Sequence, residues 1–215
     1  MTVGFSPDCR DCPRLAGFLD AIRLEHPDYH AAPVAPFGDG NSRLLVVGLA
    51  PGMHGANRTG RPFTGDHAGI LLYRTLHRFG FASAAASESR SDGLRLIDCR
   101  ITNAVKCLPP GNKPERDEIV RCNRYLQTEI AGVPQLRAIL ALGKIAHDAV
   151  LLAVGVPRGA CKFAHGAMYT LKSGISLFDS YHCSRYNTQT KRLTGAMFED
   201  VFSAIRAALD AVPAR

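Results

Sequence analysis

The stretch RLLVVGLAPGMHGANRTGRPFTGD, residues 43–66, decides the fold because an aliphatic run opens directly into a glycine-rich loop. A run of β-branched and aliphatic residues without strict alternation is typical of a parallel strand that is covered on both faces. The run at 43–49 has three counterparts, at 96–105, 136–142 and 175–181. The sequence therefore predicts four buried strands.

Stretches with helical spacing lie between these runs, at 67–80, 114–131 and 194–211. Pro114 followed by Glu115 is typical of a helix start. Strands that alternate with helices predict a three-layer α/β/α sandwich, and we expect a single domain over residues 1–215. The small, polar stretch 82–93 is predicted to be a surface loop, and the proline-rich first forty residues are expected to wrap around the sandwich.

Charge and cysteine content narrow the class of protein. The chain has 215 residues, 26 of them basic and 19 acidic, for a net charge of +7, which favours a polyanionic partner, above all nucleic acid. The first residues lack the pattern of a secretion signal, and no apolar run is long enough to span a bilayer. We therefore expect a cytoplasmic protein, with no membrane partner, in which seven cysteines serve as ligands or buried thiols.

Two pairs of cysteines have spacing that suits a shared metal site. Cys9 and Cys12 form a C-x2-C pair, and Cys107 and Cys122 flank a proline-rich turn and a predicted helix. Four thiolates from two distant segments could hold a [4Fe–4S] cluster or a zinc ion, and composition does not choose between them. The alternative is four unrelated buried cysteines. The other three cysteines are expected to be unligated.

The loop at 48–66 follows a strand end, which is where open α/β sheets usually bind ligands. It matches neither the Walker pattern nor G-x-G-x-x-G, so a phosphate-cradling nucleotide site is not supported. Phe63 is an aromatic residue in a polar loop, where it either stacks on a planar base or packs on the sandwich. Asp66 either acts on a water molecule or caps the helix predicted at 67–80.

The segment HCSRYNTQTKRLT, residues 182–194, follows the last predicted strand. His182 and Ser184 stand at the strand terminus. Basic residues interleaved with an aromatic residue are typical of a loop that lies against a DNA backbone. These residues are Arg185, Tyr186, Lys191 and Arg192, and we expect them to contact DNA together with Ser184. A serine hydrolase is not indicated, because G-x-S-x-G is absent.

Taken together, these segments resemble the family 5 (type b) uracil-DNA glycosylases of the uracil-DNA glycosylase superfamily. The resemblance rests on residues 48–66, on ITNAVKCLPPGNKP at 101–114, on residues 182–194 and on the spacing of the four cysteines. It implies a central four-stranded parallel sheet flanked by helices, and an N-terminal segment that helps bind a [4Fe–4S] cluster rather than zinc. The chain departs from many relatives at Cys183, where they have proline, and from some at Gly52, where they have alanine.

The resemblance also implies an activity: hydrolytic removal of uracil, and of other deaminated bases such as hypoxanthine, from double-stranded DNA in base excision repair. A target base is flipped out of the stack before it can be attacked. We expect a monomer in the prokaryotic cytosol, associated with the nucleoid. One alternative is a non-catalytic DNA-binding protein whose segments are cross-linked by an iron–sulfur cluster or by zinc. Another is an electron carrier.

Residue roles follow from the same resemblance. Phe63 would stack on the flipped base, and the amide of Asn103 would hydrogen-bond to its edge, with Asn112 as the second candidate. His182 would stabilise the departing base, and Asp66 would orient or deprotonate the attacking water. Arg185 or Tyr186 would fill the gap that the flipped base leaves. The floor of the site would be formed by backbone groups of Leu49, Ala50, Pro51 and Gly52.

Overall fold

Four parallel strands form the centre of a six-stranded sheet in the computed structural model, which describes residues 4–211. The strand order is β1-β3-β2-β4-β6-β5, and the two edge strands, β1 and β5, pair antiparallel. The strands are β1 (Phe37–Gly38), β2 (Leu44–Gly48), β3 (Cys99–Asn103), β4 (Ala138–Leu142), β5 (Met168–Thr170) and β6 (Ser176–Ser180). The four predicted strands are confirmed, and the sheet gains two short edge strands that the sequence did not predict.

The predicted helices at 67–80, 114–131 and 194–211 are confirmed with slightly shorter bounds. The helices are α1 (Pro13–Glu25), α2 (Ala56–Thr59), α3 (His67–Arg78), α4 (Arg116–Ala131), α5 (Lys144–Ala153), α6 (Arg185–Gln189) and α7 (Gly195–Asp210). Helix α4 begins after Glu115 because Glu115 and Glu118 form a capping box. No helix among residues 4–211 has both the length and the apolar character needed to cross a membrane.

Two expectations about irregular segments need correction. The N-terminal region contains the regular helix α1, whose Leu15, Leu19 and Ile22 are buried, so it does more than wrap around the sandwich. The segment after residue 184, expected to be a loop, begins with the short helix α6, because the Ser184 hydroxyl accepts a hydrogen bond from the Asn187 N–H and caps it.

The sheet is covered on both faces, which confirms the three-layer sandwich. Successive residues of β2 belong to different apolar clusters: Leu44 packs with α3 and α7, and Leu45 packs with α4 and α5. This alternation is what a pleated strand requires when both faces are buried.

The carboxyl ends of the parallel strands lie level with each other at one edge of the sheet. Gly48 at the end of β2 pairs with Asn103 at the end of β3, and Leu142 pairs with Ser180. The loops that leave these ends are therefore brought together although they lie far apart in sequence. Close to this edge, a hydrogen bond of 2.8 Å from His147 Nδ1 to Asp179 Oδ1 ties α5 to β6 in the interior.

Candidate active site

A cavity of about 440 Å³ opens at the carboxyl edge of the sheet. It collects residues from three of the loops that the sequence indicated. The predicted site residues that line it are Leu49, Ala50, Gly52, Phe63, Asp66, Asn103, Asn112, His182, Ser184 and Arg185. The cavity does not include Pro51, Tyr186, Lys191 or Arg192 among its lining residues, so the predicted set divides into a cavity group and a surface group.

The ring of Phe63 forms one wall of the cavity and faces the imidazole of His182. The two ring centroids lie 5.9 Å apart, with their planes tilted by 30°. Phe63 is 5% exposed and adopts φ +53°, a left-handed conformation that costs a non-glycine residue free energy. The Tyr73 hydroxyl donates a 2.8 Å hydrogen bond to the Pro62 carbonyl and so holds the loop at that point. The strained backbone is therefore anchored by the fold.

Gly48 allows the two walls of the cavity to meet. A Cβ atom at this position would lie 2.4 Å from Asn103 Oδ1 and 2.6 Å from Phe63 Cζ. Such distances are shorter than real contacts, so a side chain at residue 48 would displace the amide or the ring. The absence of a side chain at the end of β2 therefore lets Asn103 and Phe63 pack close to the backbone of the strand.

Asn103 lies at the carboxyl end of β3 and is only 3% exposed. Its side-chain oxygen Oδ1 is buried and has no hydrogen-bond partner among the described residues. A buried unpaired acceptor costs about 1–3 kcal/mol, and an N–H group of a ligand would remove that cost. Asn112, the second amide candidate, is exposed in a short turn at Pro110–Asn112, so it stands at the rim of the cavity.

The two carboxylate oxygens of Asp66 have different surroundings. Its Oδ1 atom accepts a 2.8 Å hydrogen bond from the Gly69 N–H and caps α3. Its Oδ2 atom faces the loop glycines, since a Cβ at Gly55 would lie 2.4 Å from it. Burial raises the pKa of Asp66, and the hydrogen bond from Gly69 opposes that rise. Capping and a position on the cavity wall are therefore compatible for this residue.

His182 faces the cavity as a neutral side chain. Burial lowers its pKa to about 4, so the imidazole is uncharged at neutral pH and can still donate one N–H. Its own carbonyl accepts a 2.8 Å hydrogen bond from Asn187 Nδ2, which fixes the segment to α6. The next residue, Cys183, is completely buried in the core on the α3 and α7 side of the sheet.

The surface group lies on and after α6. Tyr186 is 71% exposed, and Lys191 is exposed with φ +57°. The guanidinium of Arg192 instead stacks over the Tyr181 ring, 4.7 Å from its centroid. Tyr186 and Lys191 are thus exposed to solvent, whereas Arg192 already has an aromatic partner.

A second cavity, of about 630 Å³, adjoins the first on the other side of Asp66. The two share Gly52, Asp66, His67, Asn112 and Arg185. Sequence reasoning missed His67, whose Nε2 atom lies 2.9 Å from Thr188 Oγ1 and connects α3 to α6. Its position directly after Asp66 was the available signal.

The far wall of the second cavity is the stretch 85–88, part of the loop predicted at 82–93. This loop is held by a polar network that the sequence did not reveal. Arg61, only 4% exposed, pairs with Asp92 at 2.5 Å and donates to Ser87 Oγ at 2.7 Å. Although burial opposes it, the bonds from Arg61 and from the Leu94 and Glu88 N–H groups hold the pKa of Asp92 well below its usual range. The loop is therefore fastened to the segment that carries Phe63 and Asp66.

The four paired cysteines converge. Cys9, Cys12, Cys107 and Cys122 line one small cavity beneath α1. Burial raises the pKa of Cys12 to about 11 and that of Cys107 to about 12, so thiolates at this site need a positive partner. The Lys106 N–H donates to Cys122 Sγ at 3.3 Å, as expected for a sulfur ligand.

Four cysteine sulfurs are a donor set that both iron–sulfur clusters and zinc sites use. Among residues 4–211, no group of three or more histidine, cysteine or acidic side chains is arranged to hold a metal ion. The remaining cysteines lie elsewhere: Cys99 and Cys183 in the core on one face of the sheet, and Cys161 in the core on the other.

The fold and the cavity define an α/β/α protein with a ligand cavity at the carboxyl edge of the sheet, lined by a phenylalanine, a buried amide and a neutral histidine. The profile of the family described as "Uracil DNA glycosylase superfamily" matches residues 35–206. The chain is 46% identical, over 90% of each chain, to the type-5 uracil-DNA glycosylase of Thermus thermophilus.

Two further relatives are also named type-5 uracil-DNA glycosylases. The Mycobacterium leprae protein is 43% identical over 90% of this chain and 88% of its own. The Pyrobaculum aerophilum protein is 41% identical over 95% of this chain and 89% of its own. The chain therefore belongs to the type-5 family of the uracil-DNA glycosylase superfamily.

Proposed function

We propose that the chain hydrolyses the N-glycosidic bond of uracil in double-stranded DNA, and that of other deaminated bases such as hypoxanthine. Its relatives are named uracil-DNA glycosylases, which supports the uracil activity. One structural observation carries the proposal: the Phe63 ring, His182 and an unpaired amide oxygen, Asn103 Oδ1, line the same cavity. The reaction would serve base excision repair in the cytosol, on the DNA of the nucleoid.

Entry of the base requires that its nucleotide leave the helix. The Phe63 ring is buried at the cavity wall, where a base inside a stacked duplex cannot reach it. The exposed Tyr186 at the mouth is suited to fill the gap left in the stack, and Arg185 lines the mouth next to it. Base flipping is therefore part of the proposal.

The chemistry follows from three side chains. Cleavage places negative charge on the departing base, and the neutral His182 donates a hydrogen bond to the base oxygen as that charge develops. Asp66, anchored by its other oxygen to Gly69, orients the water that attacks the sugar carbon and accepts its proton. Asn103 Oδ1 accepts an N–H of the base edge.

The proposed activity on deaminated bases other than uracil is inferred from the residues that line the cavity. Among the lining residues Asp66 is the one carboxylate that the described chain contributes. The base edge then meets an amide and backbone groups, which can pair with the carbonyl and N–H pattern of deaminated purines as well as of uracil.

We also propose that Cys9, Cys12, Cys107 and Cys122 hold a [4Fe–4S] cluster. The cluster would supply a cross-link between the N-terminal segment and the sandwich, not a step in the reaction. The support is the shared apolar cavity, the N–H bond to Cys122 and the guanidinium of Arg124 near Cys9, 3.8 Å from its sulfur.

A duplex with one G:U pair tests the activity, with abasic sites scored by alkaline cleavage. We expect base release by the wild-type protein and a loss of about a hundred- to a thousandfold in Asp66→Asn and in His182→Gln. Asparagine keeps the cap of α3, so this variant changes charge without removing the helix start. His77→Ala, an exposed histidine near the end of α3, is the control and keeps full activity.

One result would contradict the proposed glycosylase activity. Binding of the duplex by the wild-type protein with no released base would support the non-catalytic DNA-binding alternative. A panel of duplexes with hypoxanthine, xanthine or mispaired thymine, each beside its single strand, measures the range of bases and the preference for double strands.

A further inference from the structure

A third depression of about 400 Å³ lies between α3 and α6, and it adjoins both cavities described above. Arg74 on α3 and Lys191 after α6 line it, together with Ile70. His67 lines this groove as well as the base cavity, so the two spaces adjoin. We name this depression the α3–α6 groove.

The α3–α6 groove carries positive charge that the protein does not neutralise. Arg74 and Lys191 are exposed, and neither forms an ion pair with a carboxylate among residues 4–211. None of the residues that line the groove is acidic, within the part of the chain that the structure describes. Arg78, one turn farther along α3, is different, because it pairs with Glu199 at 2.8 Å. Of these two arginines of α3, the one without an ion pair in the described part of the chain is therefore Arg74, which is nearer to the site.

The position of Arg74 is electrostatically unfavourable without an anion. A Cβ atom on Gly195 would lie 3.4 Å from Arg74 Nη2, so the guanidinium stands beside the first residue of α7. The start of a helix is the positive end of its dipole, and it repels a cation. A negatively charged ligand in the groove would offset both charges at once. Ile70, which is 62% exposed, supplies an apolar surface next to them.

We propose that the α3–α6 groove binds backbone phosphates of the DNA strand, with Arg74 and Lys191 as their contacts and Ile70 against a sugar. The inference rests on the proposed function, since it extends the DNA footprint of that site. Arg74 lies eight positions after Asp66, which is about 12 Å along the axis of α3. With the DNA axis along α3 and 3.4 Å per base pair, the bound phosphates lie about three to four positions from the flipped nucleotide.

The first test measures binding to a duplex by fluorescence anisotropy as a function of salt. Each lost phosphate contact lowers the slope of log affinity against log salt by about 0.9, so we expect this change in Arg74→Ala and in Lys191→Ala. Affinity at low salt falls about three- to fivefold in each, as for an exposed ion pair. Arg78→Ala removes the same charge from the same helix and leaves the slope at its wild-type value. A wild-type slope in Arg74→Ala, or an equal loss in Arg78→Ala, overturns the proposal.

The second test locates the contact. Neutral methylphosphonates are placed one at a time along the strand that carries uracil. We expect a position three or four nucleotides from uracil where the substitution weakens binding by the wild-type protein but not by Arg74→Ala. If the substitution has the same effect in both proteins at every position, the groove does not bind phosphate.

Neither binding test requires turnover, so the two proposals fail separately. Release of uracil by the wild-type protein is measured on the same duplex. If no uracil is released but the salt slope is reduced in Arg74→Ala, the proposed glycosylase activity is contradicted and phosphate binding by the α3–α6 groove is supported. If uracil is released but the slope is unchanged, the activity is supported and phosphate binding by the groove is contradicted.

Discussion

At Asp66 the cap of a helix and the wall of the cavity are the same carboxylate. Burial raises its pKa, so protonation begins at a higher pH than for an exposed aspartate. Protonation removes the negative charge that accepts a proton from water. The rate of base release therefore falls as pH falls through the raised pKa, about tenfold per unit below it. Single-turnover rates between about pH 4 and pH 8 measure this limb.

The same pH–rate profile distinguishes the titration of Asp66 from that of His182. With a pKa near 4, His182 stays neutral from pH 8 down to pH 5 and adds no step there. The residual rate of Asp66→Asn should accordingly be flat over that range. A step near pH 6.5 that disappears in His182→Gln would show instead that the imidazole titrates normally and is charged below that pH.

Gly48 gives a second prediction at the residue scale. A Cβ here meets both Asn103 Oδ1 and Phe63 Cζ at less than 3 Å, so Gly48→Ala pushes the two base-facing groups out of place. We expect a loss of about a hundredfold in base release, because misplacement by about 1 Å costs that much. Overpacking also lowers the free energy of unfolding by about 1–3 kcal/mol.

Gly17→Ala is the matched control for Gly48→Ala. Gly17 lies in α1, and nothing comes within 4 Å of a Cβ at that position. The same change there leaves base release unaltered and raises the free energy of unfolding by up to about 1 kcal/mol. Equal activity in both alanine variants would contradict the role assigned to Gly48.

At the scale of elements, the 82–93 loop depends on one ion pair. Asp92→Ala leaves the guanidinium of Arg61, only 4% exposed, without its carboxylate. The pair is part-buried, with Asp92 20% exposed, so removing the carboxylate should cost about 1–3 kcal/mol of unfolding free energy, measured by urea denaturation. Because the Ser87 carbonyl accepts the Gly65 N–H, release of the loop also loosens the segment before Asp66, and base release falls.

An exposed ion pair provides the comparison for Asp92→Ala. Arg206 and Asp210 stand 3.8 Å apart, and Asp210 is 61% exposed. Asp210→Ala therefore changes the unfolding free energy by less than about 1 kcal/mol. A similarly small effect of Asp92→Ala would mean that the loop is not fastened by this pair.

At the scale of the whole molecule, the four cysteines join segments more than ninety residues apart, Cys12 to Cys107. The proposed cluster predicts that Cys122→Ser loses iron and the brown colour that iron gives, that its melting temperature falls, and that hydrogen exchange in α1 becomes faster. Cys161→Ser, a change at a cysteine outside the cavity, should keep the iron. Full iron content in Cys122→Ser would remove Cys122 from the ligand set.

The four central strands and three of the helices were predictable because their apolar spacing is local in sequence. Helices α1 and α5 were missed although their buried faces follow helical spacing, in α1 at Leu15, Leu19 and Ile22. Helix α1 was missed because prolines surround it, and α5 was missed because it is a short, mostly apolar helix directly after β4. The edge strands have two and three residues, too few to show a pattern.

The sequence by itself determined the four central strands, the loops that leave their carboxyl ends, the cysteine spacing and the family, because motifs and periodicity are properties of neighbouring residues. Only the tertiary structure decided that Asn103 lies inside the cavity with an unpaired oxygen while Asn112 stands at its rim. It alone placed Arg61 against Asp92 and left Arg74 without a carboxylate partner among residues 4–211. Burial, hydrogen-bond satisfaction and net local charge depend on which distant segments pack together, and no local pattern encodes them.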